Sequence, residues 1–243
     1  MCTLAVALQP DARWPVVVAA NRDERLGRPA EDWALRAGAG RVRFAAPRDA
    51  VAGGTWIGVG TGGLFAALTN FHSGAGGPDP SRRSRGDLVA LALEQPSAGA
   101  ARRVLSALAA AAFNPFHLLV ADRERAFLWW YDGAADAFTA LGPGLHVVTE
   151  SSPWGRCPRG ESVRGRWPVE PTPERLHHLL STHAPPAPAT CIHMDPHYGT
   201  RSAAILRLAP SLAHSELYAT GGAPCVAPLE DRSGLLAELA RAA

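Results

Sequence analysis

Short apolar runs bounded by turn-forming residues come in pairs along this chain. Thr3–Leu8 and Val16–Ala20 flank Gln9-Pro10-Asp11-Ala12-Arg13, and Gly54–Val59 and Leu64–Thr69 flank Gly60-Thr61-Gly62-Gly63. Each pair predicts a β-hairpin, because Gly, Asp and Pro supply the dihedrals that a tight reversal needs. Phe116–Ala121 and Ala126–Tyr131 repeat the pattern around Asp122-Arg123-Glu124-Arg125. His146–Thr149 adds a short strand, and Ala203–Leu208 with Ser215–Thr220 a final hairpin. Helical spacing covers Arg85–Leu93, Ala98–Ala112, Pro173–Ser181 and Leu229–Arg241, with Thr172 as an N-cap and Pro173 in the first helical position. Ser73–Pro80, the Gly/Pro/Arg-rich stretch Ser151–Pro173 and the proline cluster of His183–Thr190 read as irregular. Hairpins separated by blocks of helix predict an α+β fold of antiparallel sheets covered by helices, not a parallel βαβ fold. There is no internal repeat, and residues 1–243 are read as one domain.

The first hairpin carries a register expectation. A turn centred between Asp11 and Ala12 places Cys2 opposite Asn21. Side chains alternate between faces, so Asn21 and Asp23 then share the face of Cys2, and Arg22 and Glu24 point the other way. A slip of one residue inverts that assignment.

Composition narrows the classes. Hydrophobic residues make up 47% and charged residues 19%, as in an ordinary globular protein. All 24 basic residues are arginine, so no lysine nucleophile, Schiff base or phosphate-loop lysine exists. A net charge of +2 argues against a nucleic-acid binder, and Arg82-Arg83-Ser84-Arg85 reads as a solvated loop before a helix. Cys2, Cys157, Cys191 and Cys225 form no CxxC pair, which fits reduced thiols in a cytoplasmic protein. No segment approaches the ~20 apolar residues of a membrane helix.

The chemistry concentrates at the amino terminus. Loss of Met1, which a small second side chain permits, makes Cys2 the first residue, with a thiol and a free α-amine on one centre. The amine titrates near about pH 8 and the thiol near about 8.5, so proton exchange between them is nearly isoenergetic. The competing reading is a small buried hydrophobe in an apolar strand.

Several segments together resemble a known family. These are Met1-Cys2, Ala19-Ala20-Asn21-Arg22-Asp23-Glu24, Arg28-Pro29, Gly53-Gly54-Thr55-Trp56-Ile57-Gly58, Leu68-Thr69-Asn70, Arg85-Gly86-Asp87-Leu88-Val89 and Tyr198-Gly199-Thr200-Arg201-Ser202. In this order they resemble the NRDE family, also called transport and Golgi organisation protein 2-like, which is similar to N-terminal-nucleophile (Ntn) hydrolases of the choloylglycine hydrolase and penicillin acylase branch. The resemblance implies a four-layer αββα sandwich and attack by Cys2 on a non-peptide amide carbonyl. It also implies catalytic roles for Asp23, Asn70 and Arg201: Asp23 holding the nucleophile, Asn70 in the oxyanion hole, and Arg201 beside the thiolate. Substrate contacts are expected from Asn21, Arg22, Trp56, Thr69, Phe71 and His72. Two departures stand out. The branch usually has an arginine two residues before the position of Asn21, where this chain has Ala19 and Ala20. Family members commonly carry Ser-Asn ahead of Pro-Trp, where this chain reads Thr149-Glu150-Ser151-Ser152-Pro153-Trp154, putting a carboxylate near the implied oxyanion hole.

Other constellations weigh less. Cys191, His193, Asp195 and His197 alternate as metal ligands on one strand face would, but no second short-spaced pair accompanies them. They read instead as a strand leading into Tyr198–Ser202, and no metal is expected. Trp129-Trp130-Tyr131 reads as a packed strand, and His117 as the start of one. The leading expectation is therefore a cysteine amidohydrolase or acyltransferase acting on a small acylated molecule, without a cofactor and without nucleic-acid partners, with assembly as a homo-oligomer left open. The alternative is a non-catalytic protein binding a hydrophobic ligand such as haem or an acyl-coenzyme A or lipid. In that reading His72, His193, His197 or Cys2 are the candidate haem ligands, although no CxxCH motif exists.

Overall fold

The fold was analysed in a computed structural model, which describes residues 2–38, 43–71, 77–183 and 188–242. The chain opens with β1 (Cys2–Leu8) and β2 (Val16–Arg25), then runs through β3 (Ala30–Ala37), β4 (Arg43–Asp49), β5 (Ile57–Gly60) and β6 (Phe65–Asn70). Helices α1 (Gly86–Leu93) and α2 (Ala98–Leu105) precede β7 (Phe116–Ala121), β8 (Ala126–Tyr131), β9 (Asp136–Leu141) and β10 (Gly144–Thr149). Helices α3 (Pro158–Arg166) and α4 (Pro173–Leu180) lead to β11 (His193–Asp195), β12 (Tyr198–Leu208), β13 (Glu216–Ala219), β14 (Glu230–Asp231) and the last helix α5 (Ser233–Arg241).

The strands build two antiparallel sheets. One has the order β10-β1-β2-β12-β13-β14, with β11 paired to β12; the other runs β3 to β9 in sequence. Alternation divides every central strand between two packing environments. Leu4, Val6, Leu8, Val16, Val18 and Ala20 face the second sheet and meet Ile57, Val59, Phe65, Ala67 and Leu119. On the opposite faces, Val17, Ala19 and Ile205 pack under Leu176 and Leu180 of α4, while Ala5 and Val147 meet Val163 of α3 and Leu179 of α4. Leu88, Val89, Leu93 and Leu105 of α1 and α2 cover the outside of the second sheet. The layers are thus αββα, as the resemblance implies. Close backbone approach fixes α1: a Cβ on Gly54 would stand 2.8 Å from the backbone of Gly86.

Several regions differ from the sequence expectation, among them β4, where the sequence predicts no strand. β3 and β9 are edge strands with mostly exposed or half-buried residues, so no apolar run announces them. α3 lies in the stretch read as irregular and buries only Gly160 and Val163. The expected Ala98–Ala112 helix stops at Leu105 and resumes as a single 3-10 turn at Ala110–Ala112. The last helix starts at Ser233, later than expected, and does not lie outside the sheets: Leu236 and Leu239 join the inter-sheet core and close its edge.

Candidate active site

The register of the first hairpin differs by one residue from the expectation, and Cys2 faces Arg22. The cause is local. Asp11 Oδ1 accepts hydrogen bonds from the backbone N–H groups of Arg13 and Trp14 at 2.8 and 2.9 Å, and Leu8 pairs with Val16, so the turn centres on Ala12. Cys2 therefore shares the inner face with Leu4, Val6 and Leu8, together with Arg22 and Glu24. Asn21 and Asp23 lie on the outer, helix-covered face.

The inner face is charged and paired. Asp49, at the end of β4 in the other sheet, accepts from Arg22 at 3.0 Å and from Arg28 at 2.6 Å, and Glu24 lies 3.8 Å from Arg22. Burial opposes ionisation of Asp49, but the bonds from Arg28 outweigh it and hold its carboxyl below the usual range. Arg85, just before α1, is half-buried, donates to the Pro115 carbonyl at 2.9 Å and feels the charge of Cys2. Sequence reasoning placed Arg85 only in a motif. The Gly54–Gly86 contact, which holds the start of α1 against the loop ahead of β5, fixes its position.

Around Asp23 the chemistry is unlike that of the inner face. Its side chain is fully inaccessible to solvent. Oδ1 accepts from Thr200 Oγ1 at 2.7 Å, while Oδ2 has no hydrogen-bond partner among the described residues and lies 3.8 Å from Arg159 Nη1. Arg159 also pairs with Glu150 at 3.2 Å, so the Glu150 carboxylate is neutralised by an arginine of α3. Burial pushes the Asp23 carboxyl up to about 7, against the lowering by Thr200, the amino-terminal ammonium and Arg159. Burial likewise pushes the Cys2 thiol up to about 11, although the amino-terminal charge and the N–H of Asp23, which donates to the thiol, both lower it. Thiol and carboxylate are adjacent through the backbone of β2, and the Tyr198 hydroxyl donates to the Asp23 carbonyl at 3.1 Å.

The other expected site residues distribute unevenly. Arg201 occupies a bulge in β12 between Thr200 and Ser202, beside Asp23 and Arg22, with a buried Nε that has no hydrogen-bond partner among the described residues. Asn70 ends β6, a strand packed against β1, and pairs with Phe116. Asn21 is turned away from the thiol and donates to the Leu180 and Thr190 carbonyls at 2.9 and 2.8 Å, which is a fastening of the outer layer. Trp56 is half-buried against the inter-sheet core. Thr69 Oγ1 lies 3.2 Å from His117 Nδ1, and Phe71 packs on the His117 ring at 4.8 Å. His72 lies outside the described residues. Since His117 Nδ1 also sits 3.1 Å from the Thr149 carbonyl, that nitrogen carries the proton; burial lowers the ring to about 4 and keeps it neutral. Thr200, Arg159, Tyr198 and Arg85 received no site role from the sequence, and Arg159 fell in the stretch read as irregular.

Two stacked antiparallel sheets between helical layers, with the first strand beginning at a buried cysteine, define an Ntn-hydrolase fold. Among 54 chains of solved structures that match, a Caenorhabditis elegans N-acylethanolamine-hydrolyzing acid amidase ortholog aligns with TM-score 0.60 and 15% identity, over 86% of this chain and 93% of that one. The mutant C2A conjugated bile acid hydrolase from Clostridium perfringens aligns with TM-score 0.54 and 11% identity, over 96% and 93%. The profile of the family described as Transport and Golgi organisation 2 matches residues 1–214, and the chain belongs to that family. No curated protein sequence matches significantly. Among the described residues, no helix is long and apolar enough to cross a membrane.

Proposed function

We propose that the protein is a cysteine amidohydrolase or acyltransferase acting on a non-peptide amide of a small acylated molecule. The observation that carries this reading is the pairing of a buried thiol with a buried, underbonded carboxyl next to it in the fold. A thiol held near about 11 is inert at neutral pH without a base. Once Cys2 is freed as the amino-terminal residue, its own α-amine supplies that base. Transfer of the thiol proton to the amine creates a thiolate and an ammonium together, which avoids burying a single uncompensated charge. Asp23, with one oxygen lacking a hydrogen bond among the described residues, is suited to hold the ammonium.

Thiolate attack on the amide carbon forms a tetrahedral intermediate. The ammonium then returns its proton to the departing amine as the C–N bond breaks, leaving a thioester on Cys2. Water releases the acid; a second amine or alcohol accepts the acyl group in transfer. Asn70 is assigned to the oxyanion, and Arg22, Arg85 and Arg201 favour the anionic sulfur. One structural neighbour is named an N-acylethanolamine-hydrolyzing acid amidase and the other a conjugated bile acid hydrolase, solved as the mutant C2A.

One observation favours the ligand-binding alternative. A cavity of about 320 Å³ is lined by Leu128, Val148 and Trp154, with Arg156 and Arg164 also contributing, and Cys2 does not line it. An acyl chain with an anionic head suits such a lining, with or without chemistry. Intact-mass measurement after brief exposure to a panel of N-acyl amides separates the readings. An acyl increment on protein lacking Met1, absent in Cys2→Ala, supports the enzyme. Ligand retention that is equal in Cys2→Ala, with no increment on the unsubstituted chain, supports the binding protein.

A further inference from the structure

Four side chains that take no part in the chemistry above converge at the far end of α4. We propose that His183, Cys191, His193 and Cys225 form a structural zinc site. Their ligand atoms all lie within 4.8 Å of one another. Cys191 Sγ is 3.6 Å from Cys225 Sγ, and His193 Nε2 is 3.7 Å from Cys191 Sγ and 3.3 Å from Cys225 Sγ. The His183 and His193 rings lie side by side, with centroids 5.1 Å apart and planes 24° from parallel. Zinc bonds of ~2.3 Å to sulfur and ~2.0–2.1 Å to nitrogen require tetrahedral edges of roughly 3.8 Å between sulfurs and roughly 3.5 Å between sulfur and nitrogen. The three measured edges fall within a few tenths of an ångström of those values. A disulfide needs its sulfurs at about 2.05 Å, and both cysteines are free thiols.

The spacing in sequence hides this set. Cys191 and His193 form one short pair, and the fold supplies the second pair from two other segments. His183 follows α4, where Thr182 O accepts from the backbone N–H groups of Thr190 and Cys191 at 3.0 Å each. Cys225 follows Pro224, whose carbonyl accepts from Ser181 Oγ at 3.1 Å. Two thiolates and two imidazoles are the donor set of a closed tetrahedral zinc centre, with no position left for substrate. Binding displaces the two thiol protons to solvent and leaves the imidazoles neutral.

The site has a consequence for the nucleophile. Its central ligands bracket Ile192, whose N–H donates to Thr200 Oγ1 at 2.8 Å, and Thr200 in turn bonds Asp23. The preceding residue, Thr190, accepts from Asn21. A metal at this point pins the segment that holds both polar residues of the outer face of β2. The assignment stands whether or not Cys2 is catalytic.

The test is metal analysis of the full chain purified under reducing conditions. We expect one zinc per chain by elemental analysis and native mass spectrometry. Titration of metal-free protein with Co²⁺ should give the visible bands of a tetrahedral centre and a near-ultraviolet thiolate-to-cobalt band. Zinc and both bands should be lost in Cys191→Ser and Cys225→Ser. Because those variants can fail to fold, the cobalt titration of the unsubstituted chain decides independently. Reduced, folded protein that takes up neither metal stoichiometrically overturns the proposal. So does zinc retained at full occupancy in folded Cys225→Ser, or a Cys191–Cys225 disulfide in metal-free protein as isolated.

Discussion

On the inner face of β2, Arg22 and Glu24 belong to a charge network completed by Asp49 and Arg28, with each pair within 4.0 Å. On the outer face, between those two in sequence, Asp23 is cut off from solvent, keeps one oxygen without a hydrogen bond among the described residues and has its carboxyl pushed up to about 7. Asn21, on the same outer face, has both its donor hydrogens satisfied by buried carbonyls. The difference separates fastening from poising. Arg22 and Asn21 hold sheet to sheet and sheet to helix, whereas Asp23 carries an unfavourable charge that stability alone does not require. Perturbed carboxyls of this kind concentrate where chemistry is done.

The contrast is broken most severely at Asp23. Asp23→Asn should abolish acyl transfer yet stabilise the fold. The carboxyl is raised from 3.8 to about 7 in the folded state, so the native chain binds more protons than the unfolded chain between those values, and stability falls as pH rises through that window. At about 1.36 kcal/mol per unit, the substitution should raise unfolding free energy by up to about 4 kcal/mol at pH 8. The gain should shrink as pH falls below about 7 and vanish below 3.8. Urea melts across pH measure it, and a loss of stability at pH 8 would contradict the assignment.

Asn21→Ala should act with the opposite sign. Two buried carbonyls lose their donor, which costs about 2–4 kcal/mol, with little dependence on pH. Chemical denaturation reports the loss; an unchanged midpoint would mean that the contacts to Leu180 and Thr190 do not fasten this layer. The smallest effect is expected at Thr200→Val. Removing the hydroxyl takes away a bond that lowers the Asp23 carboxyl, so its titration should move upward. A carbon-detected NMR titration of the side chain would show the move, and a downward or absent shift would break the link between Thr200 and Asp23.

Much of this arrangement is legible in the sequence because its causes are local. Gly60-Thr61-Gly62-Gly63 and the apolar runs beside it specify their hairpin, and Thr172 with Pro173 starts α4. What escapes depends on contacts that have no local signature. β3, with Glu31, Asp32 and Arg36 on an edge, and α3, with Gly160 and Gly165, lack a continuous apolar face. The register of β1 against β2 turns on Asp11 capping the loop, and that single side chain moves Asp23 to the face opposite the one expected. Arg159 and Thr200 reach Asp23 from 136 and 177 residues away in the chain, a distance that no pattern in either segment reveals.

The most direct test of Cys2 as the nucleophile compares its alkylation in two forms of the chain, one retaining Met1 and one confirmed by mass to lack it. Iodoacetamide labelling at pH 6.5 is followed by peptide mass spectrometry for all four cysteines. With Met1 in place the thiol, pushed up to about 11 by burial, should be nearly silent. With Met1 removed the adjacent amine should make Cys2 the first site labelled, ahead of Cys157, Cys191 and Cys225, and Asp23→Asn should slow it again. Cys2 labelled last in both forms would contradict the account and leave only the fold.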